Sequence, residues 1–432
     1  QDAGAAWADW FDADRGPAVT RALLAKLGLA ADGLTEAEQL AAYERAAIER
    51  RKRFLTPFLG RCERVAFVKH GPLGGSHYAY TEAVSDAQAE RNFVPGAALC
   101  VLNLADGRVE ELINTVTGVI RDPDVSYDGR RILFSWKQSD RGDDFHLYEL
   151  DVASRAVRQL TFGLGVADYE GAYLPGGDIV FNSTRCQQIV DCWWTEVSNL
   201  YRCGPRGERL RRVSFDQVHT NYPTVLPDGR VVYTRWDYND RGQIYPQGLF
   251  QMAADGTNQT AFYGNNSWFP TTIIHARGIP GSQRLMAIAT GHHSFQPGKL
   301  IRIDPARGRE ESDGVTLLAP ERPTPAERID AYGQEGDLFA YPYPLSETEL
   351  LVTYNPRGWD PKVGRGRDTG FGIYAMTIDG RRELLVADAR ISCNQSVPLA
   401  PRPEPVVAAS RPESAAADGT YYVQDVYRGP GL

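Results

Sequence analysis

The sequence predicts an all-β fold behind a short helical arm, and three observations carry that prediction. From Arg61 onward the chain is written as short apolar, β-branched and aromatic segments separated by Gly, Pro, Asp and Asn. These segments recur: the turn glycines Gly129, Gly177 and Gly229 lie 48 and 52 residues apart, and Gly281 follows after another 52. The composition agrees, with 42 Gly, 27 Pro and 21 Tyr but only 3 Met among 432 residues. Four antiparallel strands repeated at such a period are the sequence sign of a β-propeller, in which each sheet buries its faces against its neighbours.

The arm spans residues 1–58 and the propeller 59–432. Ala, Leu, Glu and Arg dominate from Pro17 to Phe58, predicting a short helix near 17–28 and a longer one near 36–54. Thr35 and Glu38 have the Thr-x-x-Glu spacing of a capping box, and Pro57 marks the stop. A segment of that size buries too little surface to stand alone, so it packs against the propeller. Repeats then run near 61–113, 121–162, 167–214, 219–264, 267–319, 336–387 and 391–430. Seven blades are expected. The first and last repeats each lack one clear strand, so six result if those two merge.

The charge balance, 47 Lys+Arg against 55 Asp+Glu for a net −8, argues against a nucleic-acid surface, which needs clustered cations. No apolar run reaches the ~18 residues of a membrane span. Gln1 is not an initiator Met, which predicts that a signal peptide or upstream chain has been removed. The six cysteines (Cys62, Cys100, Cys186, Cys192, Cys203 and Cys393) contain no Cys-x-x-Cys pair, against a zinc ribbon, and no Cys-x-x-Cys-His, against covalent haem in this chain. An even count in a processed chain predicts disulfides in a periplasmic or extracellular compartment. Cys186 and Cys192 flank one short loop and are the expected pair, with buried free thiols as the alternative.

The Asp-Gly repeats resemble TolB-like propellers built from PD40-type repeats. A narrower resemblance rests on Phe67-Val68-Lys69, Phe181-Asn182-Ser183-Thr184-Arg185-Cys186, Tyr233-Thr234-Arg235-Trp236-Asp237-Tyr238, Tyr263-Gly264-Asn265-Asn266 and Gly291-His292-His293. Those strings look like the propeller region of hydrazine synthase alpha subunits and their relatives, over roughly residues 60–430. The resemblance implies a secreted propeller that is joined, in the named enzyme, to c-type haem domains where the chemistry occurs. This chain lacks the haem-attachment motif, so the resemblance implies a propeller that works with a haem-bearing domain or partner subunit.

Candidate site residues follow from propeller geometry, which brings loops distant in sequence to one end of the axis. His219 precedes an innermost strand, and His292 and His293 lie in a loop at the same end. With Asn221, Asn394 and Gln395 they make a cluster of imidazole and amide groups that suits a divalent metal. In extended chain His292 and His293 point opposite ways, so one of the two at most serves a site. Arg235, Trp236, Asp237 and Tyr238 form the second candidate. A guanidinium with flanking rings grips a sugar acid, or else it forms an inter-blade salt bridge with aromatic packing. No Gly-x-Ser-x-Gly elbow and no His-Glu-x-x-His occur, which disfavours serine-hydrolase and zincin chemistry. Three functions remain: a binding or scaffold propeller for a c-type haem domain or subunit; a metal-assisted uronate lyase with His219 as base or ligand and Arg235 on the carboxylate; and a pure protein-interaction propeller.

Overall fold

The computed structural model describes residues 24–25, 28–30, 32–71, 93–139, 144–190, 195–238, 245–265, 267–292, 296–324, 338–355 and 370–406. The first predicted helix lies mostly outside them. The second is present as α1 (Glu36–Leu59), and its capping box is formed: Glu38 Oε2 accepts from the Thr35 backbone N–H at 2.8 Å, and Thr35 Oγ1 accepts from Glu38 N–H at 3.4 Å. Pro57 sits inside the last turn instead of ending the helix. The turn persists because Leu55 and Phe58 on it are buried among Val65, Phe67, Leu102, Leu351 and Ile373. Arg50 and Arg51 add ion pairs, both at 3.0 Å, to the single carboxylate of Glu383.

Strands β1 (Arg64–His70), β2 (Ala97–Asn103) and β3 (Val109–Thr115) open the sequence of sheets. Next come β4 (Val119–Val125), β5 (Arg131–Lys137), β6 (His146–Asp151) and β7 (Val157–Gln159). They are followed by β8 (Asp168–Tyr173), β9 (Ile179–Ser183), β10 (Asn199–Cys203) and β11 (Arg211–Arg212). The fourth sheet holds β12 (Thr220–Val225), β13 (Val231–Trp236), β14 (Gln247–Met252) and β15 (Thr260–Tyr263). The fifth holds β16 (Thr272–Gly278), β17 (Leu285–Thr290), β18 (Lys299–Ile303) and β19 (Val315–Leu317), extended by β20 (Arg322–Pro323). One parallel pair, Gln247 with Thr272, links the fourth and fifth. The sixth holds β21 (Leu338–Pro344), β22 (Glu349–Asn355), β23 (Gly372–Thr377) and β24 (Arg382–Val386). Finally β25 (Ser392–Pro398) returns to pair with β1, so the first sheet has the order β25-β1-β2-β3.

The innermost strands β4, β8, β12, β16, β21 and β25 pack each against the next, and β25 packs against β4. The ring is closed: a β-propeller. Among the described residues six such sheets form, where the repeat count pointed to seven. The first and last sequence repeats are parts of one sheet, each supplying the strands the other lacks. Between sheets the core is continuous and apolar, as where Leu133 and Leu147 meet Tyr173, Ile179 and Phe181. No helix among the described residues is long and apolar enough to cross a membrane.

The two ends of the ring differ. Connections from second to third strand, residues 71–96, 138–145, 184–198, 237–246, 291–298 and 356–371, all leave at one end and include the long ones. Turns from first to second strand are short and leave at the other end; Gly129, Gly177 and Gly229 take positive φ there, as Asp-Gly and Gly-Gly turns require.

Candidate functional site

Each innermost strand slips register against its neighbour at one place, a β-bulge. At that point sits a non-glycine residue in the left-handed region: Asp122 (φ 57°), Glu170 (54°), Tyr222 (55°), His275 (53°), Tyr341 (48°) and Gln395 (55°). Six bulges at one level turn six side chains onto the axis. For bulky residues this conformation costs on the order of 1–3 kcal/mol each and persists only where its surroundings enforce it.

What enforces it is a head-to-tail relay, in which the side chain at one bulge accepts a hydrogen bond from the backbone N–H at the next. Gln395 Oε1 accepts from Asp122 N–H at 2.8 Å, and Asp122 Oδ2 from Glu170 N–H at 3.1 Å. Glu170 Oε2 accepts from Tyr222 N–H at 2.6 Å, and His275 Nδ1 from Tyr341 N–H at 3.3 Å. The two tyrosines carry no acceptor on a short side chain like those of Asp, Glu, Gln and His. At the first of these junctions Tyr222 meets His275 edge-on at 4.6 Å, and at the second the Gln395 N–H donates to Thr353 Oγ1 at 3.2 Å; His275 also stacks on Tyr341 at 3.8 Å.

Charge is divided unevenly around this ring. Arg121, fully buried, pairs with Asp122 at 2.7 Å and Glu170 at 3.0 Å, so two carboxyl groups share one guanidinium. Gln395 Nε2 donates to Asp122 Oδ1 at 2.8 Å, and Asn182 Nδ2 to Glu170 Oε2 at 2.5 Å. Burial pushes the Glu170 carboxyl up to about 8; Arg121 opposes that shift and Asp122 reinforces it. Burial also drives His275 well below its ordinary range, aided by Arg121, so its ring is neutral. Because His275 Nδ1 accepts, the proton belongs on Nε2. Gln296 is near enough to favour the protonated ring, yet Nε2 makes no well-formed hydrogen bond among the described residues.

The bulges enclose a pocket of about 550 Å³, a volume that includes the part open to solvent. The six axial residues and those just after them line it, together with Thr224, Arg277, Tyr343 and Val397. Arg277 Nη1 lies 3.9 Å from Asp124 and 3.5 Å from Thr224 Oγ1, with its guanidinium 5.4 Å from the Tyr343 ring centroid. Ser396 Oγ, also in the lining, has no hydrogen-bond partner among the described residues.

Of the residues expected from sequence, Gln395 is in this ring, and Asn394 is buried beside it, opposite Val68 in the β25–β1 ladder. His219 and His292 do come together, but on Trp236: His219 stacks on it at 5.9 Å and His292 tilts against it at 4.8 Å. Burial lowers His219 to about 3, its Nδ1 accepts from Ser198 N–H at 3.4 Å, and His292 Nδ1 meets Gln247 Nε2 at 3.0 Å. No group of three His, Cys, Asp or Glu side chains spaced to hold a metal exists among the described residues, and His293 lies outside them. Arg235 is engaged by Asp216 at 2.9 Å and Asp237 at 3.0 Å and lies over Phe250, while Tyr238 packs on Trp236. Asp216 lies in the connection into β12, and Asp237, Phe250 and Trp236 belong to Arg235's own sheet, so the ion pairs are made within one blade. Cys186, expected to pair with Cys192, is a free thiol directed at the Val197 carbonyl at 3.1 Å; Cys192 lies outside the described residues. Cys62, Cys100, Cys203 and Cys393 are buried thiols, raised by burial to about 11 or 12.

Sequence reasoning missed Arg121, Asp122, Glu170, Tyr222, His275 and Tyr341. A signal was present in Asp122-Pro123, Tyr222-Pro223 and Tyr341-Pro342, since Pro in mid-strand marks a bulge.

No protein-family model matches the sequence, and no curated protein does. Among solved structures, hydrazine synthase from Kuenenia stuttgartiensis matches with a TM-score of 0.62 at 15% identity. The match covers 80% of this chain and 48% of that one, so the chain spans about half that protein's length. TolB from Acinetobacter baumannii matches with a TM-score of 0.49 at 13% identity, over 77% of this chain and 66% of that one. The shared property is the propeller fold.

Proposed function

We propose that this chain is a binding propeller of an extracytoplasmic assembly. Its axial pocket receives a small polar molecule, and its long-loop end meets a domain or subunit carrying c-type haem. One observation carries the reading: six strained bulges bring acidic, amide, imidazole and phenol groups to the axis, around a space that is lined and not filled. The partner half rests on the fold shared with hydrazine synthase, about half of which this chain spans. Arg235, held by two carboxylates, gives no support to the uronate-lyase alternative.

The test is co-sedimentation of purified chain with c-type cytochromes of the same source, followed at the haem Soret band. Titration to a fixed stoichiometry is expected. Failure of every cytochrome to co-sediment overturns the partner half. Equal affinity of a Tyr341→Ala variant for every small molecule bound by the wild type overturns the pocket half.

A further inference from the structure

Resting on that reading of the pocket, we propose that its ligand is a small organic acid, whose carboxylate is held by Arg277 and by the Nε2–H of His275. The argument is a count of unused hydrogen-bonding capacity. On the acidic side every oxygen of Asp122 and Glu170 already accepts a hydrogen bond. Asp122 Oδ1 takes the Gln395 amide, and its Oδ2 takes Arg121, Ser135 Oγ at 3.2 Å and the Glu170 N–H. Glu170 Oε1 takes Arg121, and its Oε2 takes Asn182 and the Tyr222 N–H. A cationic ligand would have to displace these donors.

Donors, by contrast, are in surplus. The buried His275 carries its proton on Nε2, which makes no well-formed hydrogen bond among the described residues, although Gln296 lies close enough to act on the ring. Two residues on, Arg277 makes only long contacts, 3.9 Å to Asp124 and 3.5 Å to Thr224 Oγ1, beside the Tyr343 ring. That aspartate is otherwise occupied by Arg402 at 3.3 Å and by the Tyr173 N–H at 2.9 Å. A partly exposed guanidinium offers a planar fork that fits a carboxylate bidentately, and a buried donor with a poorly placed partner carries a desolvation cost that an anionic oxygen would offset. Tyr341 and Tyr343 supply aromatic wall for the body of the acid.

Three probes of equal shape separate the possibilities: benzoate, benzamide and benzylamine, titrated calorimetrically at pH 7 into wild type, Arg277→Gln, Arg277→Lys and Tyr341→Ala. Benzoate is expected to bind, at least about tenfold more weakly to Arg277→Gln and less severely so to Arg277→Lys, which keeps the charge without the fork. Arg277 is loosely held, so both variants should keep the wild-type unfolding midpoint; if Arg277→Gln does not fold, Arg277→Lys alone decides. Benzoate affinity unchanged by substitution of Arg277 overturns the proposal. Binding of benzylamine or benzamide in place of benzoate, lost in Tyr341→Ala, overturns the carboxylate assignment and leaves the pocket standing. Binding of none of the three overturns both.

Discussion

Glu170 and the buried histidines have opposite proton preferences, and each sets one side of a pH profile. Glu170 is raised to about 8 by burial, so the folded chain keeps a proton that the unfolded chain releases above about pH 4.3. Its contribution is full below that pH and is lost as pH climbs through 8. His219 and His70 are lowered by burial to about 3 and about 4, and His275 is lowered as well. Their contribution is present above about pH 6.5 and is lost as pH falls toward 4. Urea midpoints measured from pH 5 to 9 should therefore peak near neutrality. The Glu170→Gln variant should lose the alkaline decline, worth about 1.4 kcal/mol per pH unit for one proton. A decline that persists in the variant would assign it elsewhere. Little of this was legible in the sequence. Gln395 was selected because an amide near the start of a strand suggests a site, but Glu170 and His275 sit mid-strand, where alternation says only in or out. A bulge breaks that alternation, and its place is set by the geometry of six strands meeting at one axis.

The bulge as an element explains the residue that follows each axial position. Pro123, Pro223 and Pro342 follow three of them, and Gly171 follows Glu170. A Cβ on Gly171 would lie 2.9 Å from Leu133 Cδ2 and 3.1 Å from Leu147 Cδ2, so the neighbouring sheet's leucines leave no room for it. Gly171→Ala should cost about 1–3 kcal/mol by overpacking, read as a lower thermal midpoint; Leu133→Ala in the same chain should recover part of the loss if that clash is the cause. Helix α1 was legible almost to its ends, because a capping box is a local device. Its last turn was not, since the burial of Phe58 that carries it past Pro57 comes from β1 and β22. Arg235 shows the converse: the motif was visible, yet Asp216, the partner that fixes its role, lies in the connection between two repeats.

At the scale of the whole molecule, the period near 50 residues gave the architecture, but counting repeats overstated the sheets. Periodicity records segments of chain and is blind to two incomplete segments sharing one sheet. Ring closure therefore depends on β25, which completes the first sheet and packs against β21 and β4. A chain ending at residue 387 should lose cooperative unfolding altogether, with no sharp calorimetric transition; retention of a wild-type transition would show that closure is dispensable.

Gln395 accepts from Asp122 across 273 positions of sequence, so the relay has no first link until the last innermost strand has been made. A nascent chain emerging from the ribosome carries five strands with nothing to close them, and pairings that distant are slow to find. The same hydrogen bond that steadies the axis thus joins the two segments of the ring that are made furthest apart in time.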